Sequence, residues 1–225
     1  MLNKSTLDFL KDLKKNNNRD WFAEHKPRYD KARADVENQI GELLTAVNEF
    51  DPEVGHPEPK KLMFRIYRDT RFSPNKEPYK LNMGAVLCSE EYKKSWTHAD
   101  YYLHVEPGNC FLSCGLYMPA PNVLKAVRTA IYEDFESFFE IIHKPAFKIT
   151  FGDLTRDEDT LQRVPNGFDK THISAEYLKL KHFYVYCNVT DKDICSDKFV
   201  DKAVEILKAS TPLKDWLNHA VEDVE

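Results

Sequence analysis

Glycine is scarce in this chain, 7 of 225 residues, which excludes collagen-like and glycine-rich low-complexity architectures. No apolar run approaches the roughly 20 residues that cross a bilayer. The opening residues, Met1 to Thr6, hold no apolar core of a secretory leader, so no membrane association and a cytoplasmic location are expected. Cysteine is sparse and odd in number: Cys88, Cys110, Cys114, Cys187 and Cys195, with no C-x-x-C pair. That speaks against a disulfide framework and for free thiols in a reducing compartment. The motifs G-x-S-x-G, G-x-G-x-x-G, the P-loop and H-E-x-x-H are all missing, so no cofactor and no metal ligand set is assigned. Positive charge is also short. The net charge of −5 argues against a partner gripped by its phosphate backbone, so nucleic acid is not expected. Nothing in the chain fixes an oligomeric state.

What is present is a hydrophobic content of 42%, enough for one sizeable core. The expected organisation is a single domain over 1–225, with a helical N-terminal segment at 1–50, a sheet-containing core at 60–190 and C-terminal helices at 196–225. Ser5 and Asp8 resemble a capping box ahead of Leu7, Leu10 and Leu13. Asn18 reads as a second cap, and Phe22, Tyr29, Val36, Ile40, Leu43 and Val47 trace one helix face. Pro27 either follows a short helix ending near His25 or sits in the first turn of the long one. Strands are expected over 63–68, 80–88, 101–106, 110–118 and 182–188, with a short one at 147–151. Glu106-Pro107-Gly108-Asn109 has the composition of a type II turn and predicts a hairpin. Helices are expected at 122–132, 134–143 and 173–180, and a polar loop at 155–171. Two helices are expected to close the chain, capped by Ser196 and by Thr211 with Pro212 in its first turn. The fold class is therefore α+β: an antiparallel, curved β-sheet with helices packed mainly on one face.

Sorting the strand residues with period two separates two faces. One is apolar: Phe64, Ile66, Met83, Ala85, Leu103, Val105, Leu112, Phe183 and Val185, with Cys110 and Cys114 as buried thiols. The other mixes polar tips with aromatic bodies: Arg65, Tyr67, Lys80, Asn82, Tyr102, His104, Glu106, Phe111, Tyr117, His182, Tyr184 and Tyr186. Ligand clefts are lined in this way, and so are half-exposed sheet surfaces.

The densest chemistry runs from Arg65 to Lys80, with three arginines and two lysines. Arginine suits bidentate contact with carboxylate or phosphate. Asp69, between Arg68 and Arg71, is placed to orient a guanidinium. The alternative is a salt-bridge network that ties down the loop.

Arg65, Arg68, Asp69, Arg71, Phe72, Lys76 and Tyr79, with Asn75, resemble the signature R-x-x-R-D-x-R-F-x-x-x-K-x-x-Y of a widespread bacterial family of conserved hypothetical proteins, domain of unknown function 2461. Asn18 to Phe22, Tyr102 to Gly108, Gly115 to Pro119, Gly167 to Asp169 and Leu180 to Val185 are similar to it too. The resemblance covers nearly the whole chain and implies a bacterial-type, full-length protein of this size. It brings no activity with it.

His104 and Glu106 lie two apart on one expected strand and point the same way, a pairing that serves acid–base chemistry or, with His98 or His182 added, a metal. The leading expectation is a small anionic ligand held by Arg65, Arg68, Arg71 and Lys76, with Asp69 in the site to orient a guanidinium and Tyr79, Tyr102 and His104 shaping the pocket. A hydrolase using His104 or Glu106 as acid or base is the second reading. A protein-interaction module with structural arginines is the third.

Overall fold

The computed structural model describes residues 1–89 and 97–224. The fold is α+β, with ten α-helices and one open antiparallel sheet among the described residues. The sheet has the sequential order β1-β2-β3-β4: β1 is Met83–Leu87, β2 Asp100–Val105, β3 Cys110–Leu116 and β4 Phe183–Val189. The turn between β2 and β3 has the expected chemistry. Asn109 N–H donates to the Glu106 carbonyl at 2.9 Å, and Gly108 supplies a φ of 76°.

The chain forms two compact units. The first comprises Met1–Glu90, Tyr102–Leu112 and Asn188–Glu205; the second Glu91–Tyr101, Ser113–Cys187 and Ile206–Glu225. In the first unit, α1 (Lys4–Lys15), α2 (Arg19–Glu24) and α3 (Lys26–Asn48) come in sequence, and α3 packs on α1 and β1. Their apolar stripes meet: Leu7, Leu10 and Leu13 of α1 and Val36, Ile40 and Leu43 of α3 are buried. Both readings of Pro27 hold at once, because α2 ends at His25 and Pro27 lies in the first turn of α3. Asn18 caps α2 by accepting from Trp21 N–H at 2.9 Å. The capping box expected at Ser5 does not form. The N-cap is Asn3, and Asn3 and Thr6 both turn to Asp35 of α3 at 2.6 Å. A 3₁₀ turn (Pro52–Val54) and α4 (Pro59–Leu62) follow. Further along the chain α9 (Asp191–Ile194) is started by a Thr190–Asp193 capping box.

The second unit packs α5 (Pro121–Glu133) on α6 (Phe135–Ile142) and α8 (Ala175–Leu178), and α6 on α7 (Pro145–Phe151). Val123, Val127, Ile131, Phe138, Ile142 and Phe183 form its buried centre. Two expectations fail in instructive ways. The strand expected at 147–151 is α7: Pro145 starts a helix, Phe147 and Phe151 meet edge to face at i and i+4 with ring centres 5.3 Å apart, and Gly152 ends it at φ 75°. The two closing helices are one, α10 (Phe199–Ala220), with Pro212 inside. Leu207, Ser210, Leu213, Lys214 and Leu217 continue one buried stripe through the proline. Meanwhile the Ser210 and Thr211 hydroxyls bond the Leu207 carbonyl at 2.7 and 3.2 Å. Burial of the stripe outweighs the proline's helix-breaking tendency.

The strand expected at 63–68 does not form. The segment meets its neighbour only at two isolated bridges, Met63 with Ala85 and Tyr67 with Tyr79. Lys80 N–H bonds the Ile66 carbonyl at 2.7 Å and Phe64 N–H bonds the Gly84 carbonyl at 2.9 Å. From Ile66 to Phe64 is two steps, and from Lys80 to Gly84 is four (84 − 80 against 66 − 64). The second segment therefore bulges and no continuous ladder forms.

Candidate functional site

In the first unit the loop that carries the signature pairs its charges internally. Arg71 grips Asp69 through Nε at 3.0 Å and Nη2 at 2.7 Å, while its backbone N–H adds a third bond at 3.2 Å. Bonds from the Arg71 side chain and then its backbone hold the Asp69 carboxyl down to about 2. Arg68 reaches Ser73 Oγ at 3.4 Å and the Glu77 carboxylate at 3.7 Å, and Lys76 caps the Thr70 carbonyl at 2.9 Å. The loop is open to solvent. The Arg71 side chain is 76% exposed and Phe72 93%. Tyr79 lies under it, buried and stacked on Phe22 with ring centres 4.0 Å apart, and its N–H bonds Asn17 at 3.1 Å. It anchors the loop to α2.

Two cations at the root of the loop behave differently. Neither Arg65 nor Lys80 has a salt-bridge partner among the described residues. Burial, and then the like charge of Arg65, lower the Lys80 ammonium. Lys80 Nζ lies 5.4 Å from the Phe64 ring, and that ring is 6.2 Å from the Tyr102 ring. Phe64 is thus half-buried beside Tyr102 and not in the buried set in which its spacing placed it.

Along β2 the period-two sorting holds: Tyr101, Leu103 and Val105 are buried, and Tyr102, His104 and Glu106 share the opposite face. The three are joined. Tyr102 Oη is 2.9 Å from His104 Nδ1, and His104 Nε2 is 3.3 Å from Glu106 Oε2. A carboxylate only accepts, so Nε2 carries the imidazole proton, Nδ1 accepts, and the Tyr102 hydroxyl donates. The His104 ring is stacked on Phe111 at 4.5 Å and its side chain is only 12% exposed. Burial lowers the His104 imidazole against the opposing influence of Glu106. Burial, reinforced by Glu106, pushes the Tyr102 phenol up to about 12. Both imidazole nitrogens are therefore engaged, and no lone pair is left for a substrate proton. Tyr102 is seated over Gly84, where an added Cβ would stand 2.2 Å from its hydroxyl.

Glu106 also borders a cleft of about 220 Å³ together with Pro107, Leu10, Leu81 and the lysines Lys11, Lys14 and Lys15 of α1. Lys11 is paired with Asp191 at 3.5 Å. Lys14 and Lys15 occupy the last turn of α1, where cations complement the helix dipole.

The second unit holds a grouping that the sequence did not reveal. Asp157, Asp159 and His182 bring metal-capable atoms within 4.8 Å of one another. His182 Nε2 is 3.4 Å from Asp159, Tyr184 Oη donates to Asp157 at 2.9 Å, and Tyr117 stacks on His182 with ring centres 4.9 Å apart. Its sequence signal is the Asp157-Glu158-Asp159 run within the polar loop expected at 155–171. His98 and His182, the suggested third ligands for His104, belong to this unit and not to that of His104.

None of the five cysteines is in a disulfide. Burial pushes the thiols of Cys110 and Cys114 up to about 11 and about 12, so they are packing groups and not nucleophiles. No described helix is long and apolar enough to cross a membrane. No curated protein and no solved structure matches the chain. A family model does, over residues 5–216, nearly the full length that carries the loop, the hairpin and both units. The chain belongs to the family described as Conserved hypothetical protein (DUF2461).

Proposed function

We propose that the protein binds a small anionic ligand, carrying a phosphate or carboxylate, at the root of the signature loop and not at its tip. One observation carries the reading. Arg65 and Lys80 are neighbouring cations without a salt bridge to any described carboxylate, and Lys80 is partly desolvated and repelled by Arg65. Such a pair is stabilised by an anion between them. Arg71 and Lys76 are already engaged within the loop, and Arg68 is turned towards Glu77. Phe64 and Tyr102 supply the aromatic wall beside Lys80. Binding is favoured over acid–base catalysis because His104 has both nitrogens occupied.

Thermal-shift titration with inorganic phosphate, sulfate, sugar phosphates and dicarboxylates tests this. A ligand at a hundredfold excess over Kd adds about 2.7 kcal/mol, roughly 5–11 °C for a chain of this size. Arg65→Ala and Lys80→Ala should abolish the shift while Arg71→Ala retains it. A shift that survives both root substitutions, or none with any anion, overturns the proposal.

A further inference from the structure

Tyr117, Tyr184 and Tyr186 form a row on the β3–β4 face of the second unit. Tyr117 and Tyr184 stand at 86° with ring centres 5.5 Å apart, and Tyr184 stacks on Tyr186 at 6.4 Å. Tyr117 is 66% exposed and Tyr186 43%. Exposed aromatics in contact with one another mark recognition surfaces more often than scattered ones do. The row is also rigidly held. Gly115 has φ 130°, and an added Cβ would meet the Phe183 carbonyl oxygen at 2.2 Å, so β3 lies unusually close to β4 there. Met118 has φ 53° directly before Pro119, where extended backbone is the rule, and its N–H donates to His182 Nδ1 at 3.0 Å. Strain of this kind persists where the surroundings enforce it, commonly at sites.

The chemistry beside the rings selects the ligand. The donors next to the two aspartates are engaged. Tyr184 Oη donates to Asp157, His182 Nε2–H faces Asp159, and Lys181 Nζ lies 3.4 Å from Asp159. Apart from the Lys181 ammonium paired with Asp159, the groups left towards solvent are electron-rich: carboxylate lone pairs and tyrosine faces. Such a surface suits a partner that brings only donors or positive charge. It suits a sugar poorly, since a sugar's hydroxyls also need donors. A metal ion is the other candidate for two aspartates and a histidine, and His182 argues against it. Its Nδ1 accepts the Met118 N–H, so Nε2 carries the proton and has no lone pair for a metal. Metal-binding histidines show the reverse arrangement, with the distal nitrogen donating.

We infer that the Tyr117–Tyr184 corner, with Asp157 and Asp159 beside it, is a binding site for an organic cation, an alkylammonium or guanidinium group. The cation lies against the tyrosine faces with the carboxylates supplying the countercharge. It is either a free small molecule or a cationic side chain of a peptide.

The test is an NMR titration of tyrosine-ring signals with tetramethylammonium chloride, against sodium chloride at equal ionic strength. Saturable shifts confined to the three tyrosines are expected with the organic cation alone. Tyr117→Ala, an exposed position, and Asp159→Asn should each weaken binding at least tenfold while the melting temperature stays near wild type. Choline and a short trimethyl-lysine peptide then distinguish the two sources. Equal response to sodium, binding unaffected by Tyr117→Ala, or saturable binding of zinc or of a neutral sugar in place of the organic cation would each overturn the assignment.

Discussion

Gly84→Ala tests whether Tyr102 is held where the β2 row places it. Gly84 lies in β1 and shows no positive φ, so alanine fits the backbone. On backbone entropy alone the substitution stabilises a strand by about 0.4–1 kcal/mol. The side chain reverses that sign. Its Cβ would stand 2.2 Å from Tyr102 Oη and 2.8 Å from Cζ, so the ring must move and the bond to His104 Nδ1 is lost. Overpacking costs about 1–3 kcal/mol and the lost bond about 1 kcal/mol. The net effect is a loss of about 2 kcal/mol, roughly 4–8 °C in Tm for a chain of this length. The double mutant with Tyr102→Phe separates the causes. Removing the hydroxyl relieves the closest contact, so the alanine penalty should shrink by about 1 kcal/mol in that background. Reversible thermal and urea unfolding of the four proteins gives the cycle. Additive effects, or a Gly84→Ala protein more stable than wild type, would refute the reasoning.

Lys80→Met should raise Tm in anion-free buffer, because it removes a partly buried charge repelled by Arg65; scanning calorimetry reads this, and a fall in Tm would deny the repulsion. Asn18→Ala removes the acceptor for Trp21 N–H and should cost about 1 kcal/mol in urea unfolding. Gly115→Ala forces a side chain at φ 130° against the Phe183 carbonyl and should destabilise by at least about 2 kcal/mol, seen as lost soluble yield or a much lower Tm. Asp193 is held down to about 2 by bonds from Thr190 and Lys202. A depressed carboxyl contributes stability above its unfolded value, near 4, and loses it as pH falls towards 2. Asp193→Asn should therefore flatten the stability–pH curve between about pH 4 and 2 and leave its slope near pH 7 unchanged.

The parts of the fold set by local periodicity were legible in the sequence. The α1 and α3 stripes, the Asn18 cap, the Pro107-Gly108 turn and the alternation along β2 each depend on a few adjacent residues. What was not legible depends on partners distant in sequence. Asp35 draws Asn3 and Thr6 away from the expected capping box. The buried stripe of α10 carries the helix through Pro212. The bulge between Lys80 and Gly84 breaks the ladder expected with 63–68, and Phe64 lies beside Tyr102. The candidate site shows the same division. The Arg65–Lys80 segment and the Tyr102–His104–Glu106 row were visible from composition and period two. Which cations are already engaged depends on side-chain geometry. Asp157 and Asp159 meet His182 only through the path of a polar loop.

The central claim is an anion between Arg65 and Lys80, and the Lys80 ammonium reports on it most directly. Its titration can be followed by NMR of selectively labelled lysine, with and without inorganic phosphate or a dicarboxylate. Proton affinity and anion affinity are reciprocally linked, so a bound anion must raise the depressed Lys80 value. An upward shift for Lys80, absent in Arg65→Ala and retained in Arg71→Ala, is the predicted result. A Lys80 titration that no anion moves would contradict the account.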